Sequence, residues 1–439
     1  MAVALLLLAT LPAGCTPPGP DRPGPDRATA AGSAPAGAPA TATAALPAHE
    51  LNPRPLPAPG VRGQPAAACA LPPLRTRLAQ LLLVGFPGTV AGPASRRLVD
   101  QGVGGLLLFR RNVASAAQVR LLLRDLRGRA AIPLEVAVDQ EPGWRVARLA
   151  GIVRAAPTAR QLGRMPPDRV HRYGRALGRD LAGLGVTADL APVLDVTGAR
   201  WDGVIGDRAF GADPETVSRA AVAFMRGLAD GGVATVGKHF PGHGATTVDS
   251  HRRLPVVSAT SARLAAWELV PFRAAIRHGL DGVMVGHLVV SAVDARTPAT
   301  LSPEVVGGLL RGRLGFNGLV VSDALEMGAI AGSWPVPVAA ERALAAGVDQ
   351  LLLSDHTRVT TVLDRLQQAV AAGRLSHARV REAFLRVQRF KRVARWASCA
   401  LPVRRARGRR RHRSRRPDIA SGSKCFRSTG CCTKAVLGL

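Results

Sequence analysis

Residues 232–251 read GVATVGKHFPGHGATTVDSH, an apolar β-branched run that ends abruptly in charge. Gly232 to Gly237 has the length and composition of a buried strand, so Lys238 and His239 are expected to leave its end and point into a site. Pro241, Gly242 and Gly244 interrupt regular structure beyond it, which places Asp249 and His251 on a loop expected to move. A strand that delivers reactive side chains from its carboxyl end is the unit from which the rest of the chain can be read.

Seven further runs resemble the first. They are LLLVGF (81–86), GLLLF (105–109), LEVAV (134–138), VTADLAPVL (186–194), DGVMVG (281–286), GLVVS (318–322) and GVDQLLLS (347–354). Amphipathic stretches separate them, with helices expected over 116–127, 214–230, 261–278 and 360–372. Eight strands alternating with helices predict a single (β/α)8 TIM barrel over residues 69–398 in preference to an open doubly wound sheet. In such a barrel the chemistry sits just past the strands. Asp139-Gln140-Glu141, Asp195, Lys238-His239, His287 and Asp323 all fall there. No GxGxxG or GxxxxGK[ST] follows a strand, so no nucleotide cofactor, and no other cofactor, is expected.

The chain has 439 residues, a hydrophobic content of 47% and an aromatic content of only 4%, so its core is built from Ala, Val and Leu. The net charge of +29 would ordinarily suggest a nucleic-acid partner. Its distribution argues otherwise. From Arg404 onward twelve Lys and Arg face the single Asp418, and elsewhere the arginines are scattered without a stacking platform, so no nucleic-acid partner is expected.

The ends of the chain carry different signals. Residues 1–15 hold the apolar stretch AVALLLLA, too short to span a membrane, followed by Leu11-Pro-Ala-Gly-Cys15, which resembles a lipobox with Cys15 in the lipidated position. No basic residue precedes the run, and Pro12 replaces the usual Leu. Residues 16–68, rich in Pro, Ala, Gly and Thr, read as a disordered tether. Together they imply an extracytoplasmic, membrane-anchored or secreted protein. Cys69 and Cys399 flank the folded region and could pair in an oxidising compartment. The Arg-rich tail, 399–439, is expected to be disordered, and its Cys425, Cys431 and Cys432 lack metal-site spacing.

Three chemistries can be set against Asp139, Arg208, Lys238, His239, Asp249, His251 and Asp323. A metal hydrolase could use His239, His243, Asp249 and His251, but three of these share one glycine-rich loop and Lys238 would repel a cation, so no metal is expected. A non-catalytic sugar-binding surface lipoprotein would use the same groups only to hold a ligand. Glycoside hydrolysis needs a carboxylate nucleophile, for which Asp323 is suited, and a proton donor, for which His251 oriented by Asp249 is suited. His243 and His287 are read as structural supports.

Over roughly residues 71–395 the chain resembles the β-N-acetylglucosaminidases of glycoside hydrolase family 3, of the peptidoglycan-recycling type. The resemblance is carried by KHFPGHG-x4-DSH at 238–251, by APVLDV (191–196), IGDRAF (205–210), GLVVSDALEM (318–327) and AGVDQLL (346–352). It implies Asp323 as nucleophile, His251 as general acid and base with Asp249 as its dyad partner, and Asp139, Arg208, Lys238 and His239 as binders of N-acetylglucosamine. The family's DQEGGRVxR stands here as DQEPGWRVAR (139–148), with one residue inserted and a Gly replaced by Pro142, and it implies Arg148 as a further sugar-binding residue. The implied activity is retaining exo-β-N-acetylglucosaminidase on cell-wall fragments, with phosphorolysis as the alternative use of the same site. The barrel alone would build that site, in a protein expected to be monomeric.

Overall fold

The computed structural model describes residues 69–199, 203–397 and 399. Cys15, the tether and the tail beyond Cys399 lie outside the described residues. Eight strands form the centre: β1 (Leu82–Gly85), β2 (Gly105–Leu108), β3 (Glu135–Val138), β4 (Ala188–Asp189), β5 (Ala234–Phe240), β6 (Gly282–Val285), β7 (Leu319–Ser322) and β8 (Leu351–Leu353). Each is parallel to its neighbours in chain order, and β8 returns to β1 with Leu82 opposite Leu351. A parallel bridge between Val321 and Gln350, with Ser322 N–H donating to the Gln350 carbonyl at 3.0 Å, closes the ring. The expected (β/α)8 barrel is therefore the observed fold.

Its interior is filled by alternate strand residues, among them Leu83, Leu107, Ala137, Ala188, Met284, Val321 and Leu352. Mixing Ala with Leu lets side chains from facing strands interdigitate without aromatic bulk. The outward strand faces pack on the helical ring through a second, larger apolar cluster. That ring includes α1 (Pro93–Asp100), α2 (Ala116–Arg129), α3 (Pro167–Leu184), α4 (Pro214–Asp230), α5 (Leu269–Arg277), a π-helix (Glu304–Arg313), α6 (Val336–Ala346), α7 (Val359–Ala371) and α8 (His377–Phe390). Local sequence sets the helix ends. Ser115 and Gln118 form a capping box on α2, Asp213 caps α4 ahead of Pro214, and Gly185 ends α3 at φ +95°.

Three sequence expectations are corrected. The helix expected over 261–278 breaks at Trp267 into Ser261–Ala266 and α5, because the Pro271 ring would clash with the Trp267 carbonyl in a continuous helix. The fourth run forms a strand of only two residues, Ala188–Asp189, and pairs again only at Val193 opposite Lys238, since Pro192 has no N–H to give. Conversely β5 runs three residues further than expected, so Lys238 and His239 belong to the strand itself.

Cys69 and Cys399 are joined by a disulfide with their Cα atoms 5.8 Å apart. The residue assigned to the start of the tail is thus tied to the start of the barrel. Beneath the barrel, buried Asp349 accepts from Arg379 at 2.7 Å and Arg311 at 2.5 Å, which docks α8 against β8. Among the described residues no helix is long and apolar enough to cross a membrane.

Candidate active site

The carboxyl ends of the strands open on a cavity of about 390 Å³, a size typical of small-molecule sites. Asp139, Arg148, Arg208, Lys238, His239, His251 and Asp323 all line it. Seven of the eight side chains singled out from sequence therefore share one wall system. Asp249 does not line the cavity, but it holds His251.

At the floor is a buried charge clamp. Lys238 Nζ lies 2.6 Å from Asp139 Oδ1 and 2.7 Å from Glu141 Oε1. Arg208 donates to Glu141 through Nε and Nη2, each at 2.8 Å, in the bidentate geometry that suits guanidinium and carboxylate. Burial opposes the charge on Glu141, yet Arg208 and Lys238 outweigh it and hold this carboxyl far below its ordinary value. Burial likewise opposes the charge on Lys238, and Asp139 and Glu141 reverse the effect, raising its pKa. Both stay ionised because each supplies the other's counter-charge.

His239 is fixed from behind. Its Nδ1 lies 2.7 Å from Asp195 Oδ2, and the remaining Nε2 is 3.5 Å from Arg208 Nη2. Asp195 is fully buried and also accepts the His243 backbone N–H at 2.7 Å. Sequence reasoning noticed Glu141 and Asp195 only as strand-end residues and gave them no part in the site. Their position after β3 and β4 was the available signal, but the contacts that recruit them span 44 (Asp195 to His239) to 97 (Glu141 to Lys238) residues of chain.

Asp323 leaves the end of β7 with its N–H donating to the Val285 carbonyl at 3.1 Å. Its Oδ1 accepts the Ala324 N–H at 2.8 Å, leaving Oδ2 for the cavity. Burial would raise its pKa, but His287, His239, the Ala324 N–H and Lys238 together lower it. His287, read from sequence as a support, lies beneath: its Nε2–H donates to the Ala324 carbonyl at 2.9 Å, and Nδ1 meets Thr300 Oγ1 at 2.8 Å. Burial lowers its pKa and so favours the neutral imidazole.

On the loop after β5, Asp249 Oδ1 lies 2.9 Å from His251 Nδ1 and accepts the His251 backbone N–H at 2.9 Å. The His251 side chain is 72% exposed and free at Nε2 to meet a substrate atom. The glycines of this loop occupy tight places. A Cβ on Gly244 would lie 2.2 Å from the Val196 carbonyl oxygen, and one on Gly242, at φ +132°, would lie 2.8 Å from the Glu268 Cβ. They are glycine because the loop is pressed against its surroundings. The other end is latched as well: Gly328 and Ala329 N–H donate to the His251 and Ser250 carbonyls at 3.1 Å, and Ser250 Oγ is 3.1 Å from His243 Nε2. The same segment that follows Asp323 thus holds the backbone of His251.

The four residues considered as metal ligands do not converge. His239 Nδ1 faces Asp195, the two His243 ring nitrogens face Thr246 and Ser250, and His251 Nδ1 faces Asp249. Among the described residues no group of three or more His, Cys, Asp or Glu is placed to hold a metal ion.

Fold and cavity together define a (β/α)8-barrel enzyme with its site at the carboxyl face of the strands. The chain belongs to glycosyl hydrolase family 3, whose N-terminal domain pattern matches residues 73–390. It is 39% identical over 372 residues to the beta-hexosaminidase LpqI of Mycobacterium tuberculosis, covering 82% of this chain and 92% of that protein. Among solved structures, a family 3 member from Mycobacterium smegmatis is 42% identical with a TM-score of 0.69, over 74% of this chain and 98% of that one. A family 3 beta-N-acetylglucosaminidase from Paenibacillus is 39% identical with a TM-score of 0.72, over 77% of this chain and 65% of that longer one. The protein is accordingly a glycoside hydrolase of the β-hexosaminidase type.

Proposed function

We propose that the protein is a retaining exo-β-N-acetylglucosaminidase that removes terminal N-acetylglucosamine from peptidoglycan fragments. The observation that carries this reading is that Asp323 and His251 line one cavity whose floor is the Asp139, Glu141, Lys238 and Arg208 clamp. A floor of fixed charges suits sugar hydroxyls, which donate to Asp139 and to His239 Nε2 and accept from Lys238 and Arg208, with Arg148 adding a donor at the wall.

In this mechanism Asp323 Oδ2 attacks the anomeric carbon as the bond to the leaving oxygen breaks, and His251 Nε2–H gives that oxygen its proton. Asp249 receives the Nδ1–H hydrogen bond and steadies the imidazolium. A water then loses its proton to His251 Nε2 and attacks the same carbon, releasing Asp323. Two displacements retain configuration. A histidine donor does not repel an anionic acceptor as a glutamate would, so phosphate could replace water in the second step.

The Cys69–Cys399 disulfide supports an oxidising location, in line with the lipobox-like segment ending at Cys15. We therefore place the enzyme outside the cytoplasm, anchored through a lipid on Cys15, where wall fragments are the available glycans. Recovery of a Cys15→Ala variant in the membrane fraction at the wild-type level would refute the anchor.

The deciding assay is release of 4-nitrophenol from its β-N-acetylglucosaminide by the wild type and by Asp323→Ala. Loss of turnover with retained folding is expected, unaffected by a chelator. Activity that survives the substitution or disappears with chelator overturns the mechanism. Sugar 1-phosphate as the main product in phosphate buffer would replace hydrolysis by phosphorolysis.

A further inference from the structure

The loop after β3 contains the residue that the family pattern lacks. Aligning Asp139-Gln140-Glu141 and Arg145-Val146-Ala147-Arg148 with DQE and RVxR leaves Pro142-Gly143 for the two glycines and Trp144 as the addition. Gln140 pairs antiparallel with Ala147, and Glu141 N–H donates to the Val146 carbonyl at 2.9 Å. The insertion therefore forms the tip of a short hairpin. Trp144 stands on that tip 76% exposed, the most exposed of the large hydrophobic residues among those described.

This tip is fixed on three sides. Glu141 at its base is locked in the charge clamp. Gly143, at φ +94°, is packed so that a Cβ there would sit 3.3 Å from the Thr158 Cα. Arg145 pairs with Asp207 at 3.3 Å, next to Arg208 of the cavity. Trp144 is two residues from Val146, which lines the cavity, so their Cα atoms are separated by at most about 7 Å. Trp144 does not itself line the cavity, but its hairpin carries two residues that do, Val146 and Arg148, so the indole stands on a segment that borders the opening.

We propose that Trp144 is the platform of an aglycone subsite, on which the first pyranose ring of the leaving group stacks by its C–H face. The proposal rests on the exo-glycosidase reading above: with the terminal sugar held on the charged floor, what projects past the rim is the leaving group. A rigid indole loses little freedom on contact and offers apolar area to a sugar face that cannot be gripped by charge. The added residue thereby favours saccharide leaving groups over ringless ones.

The test compares N,N'-diacetylchitobiose with methyl β-N-acetylglucosaminide, whose leaving group has no ring, for the wild type, Trp144→Ala and Trp144→Phe. Trp144→Ala should raise KM for the disaccharide about tenfold, the equivalent of about 1.4 kcal/mol, with kcat little changed and the methyl glycoside unaffected. Trp144→Phe should recover most of the loss. An unchanged KM for the disaccharide, or the same change on both substrates, overturns the platform while leaving the hydrolase intact. A wild type that cleaves neither substrate sinks the exo-glycosidase reading, and this one with it.

Discussion

Replacing Glu141 by Gln removes one charge from the clamp while preserving shape. Glu141 is 1% exposed and bridges Lys238 at 2.7 Å and Arg208 at 2.8 Å, both cations largely withdrawn from water. Taking the anion out of a buried pair costs about 3–5 kcal/mol, because the remaining charges are left without compensation. Gln still offers one oxygen, which favours the lower end. A domain of this size unfolds with an entropy of roughly 0.7 kcal/mol/K, so about 3 kcal/mol corresponds to a fall in Tm of about 4 °C. The sign with pH follows from the shift. The folded carboxyl lies far below its ordinary 4.5, so its contribution is complete above that value and is lost progressively as pH falls from there to the folded pKa. Calorimetry of wild type and Glu141→Gln should show a constant gap between pH 5 and 8 that narrows below pH 4, with KM for an aryl N-acetylglucosaminide raised at pH 7. A gap below about 1 °C at neutral pH, or one that persists unchanged in acid, refutes the claim that Glu141 is the ionised centre of the clamp.

Gly244→Ala should lower Tm by the cost of overpacking, about 1–3 kcal/mol, and reduce kcat as the loop is displaced; a wild-type melting temperature would show that Val196 does not confine this position. Ser250→Ala removes the hydroxyl that faces His243 Nε2, so stability should fall by only about 1 kcal/mol while the pH profile of kcat shifts; a parallel loss of kcat and stability would make Ser250 merely structural. Reduction of the Cys69–Cys399 bond, which closes 330 residues of sequence, should cost about 2–5 kcal/mol in urea titrations, and an unchanged midpoint would mean that the bond constrains nothing. Asp323 is held below its ordinary 3.8, so it remains ionised at all higher pH; an acid limb above pH 5 in the kcat/KM of His251→Ala on a 4-nitrophenyl substrate, whose leaving group needs no proton, would contradict this.

The barrel was legible because its signal is local. Each strand is a short apolar run bounded by glycine or charge, and eight of them alternating with amphipathic stretches admit few architectures. Where local pattern misled, a distant or stereochemical constraint had intervened. Pro271 split a helix that periodicity had joined, and Pro192 cut short a ladder that composition had lengthened.

Gly242 and Gly244 show the ambiguity at its sharpest. Glycine in a sequence signals either freedom or close approach, and only the neighbouring Glu268 and Val196 decide which. The same holds for Glu141 and Asp195, whose partners are carried on later segments and meet them only when the ring closes.

The sequence alone therefore determined the repeated unit, the face on which the cavity opens and most of the singled-out side chains that line it, since hydrophobic period and strand-end position depend on near neighbours. Tertiary structure decided the charge states of Lys238 and Glu141, the support of Asp323 by His287, the latching of His251 and the exposure of Trp144 on its hairpin tip. These depend on burial and on through-space contacts between segments far apart in the chain, for which one dimension holds no measure.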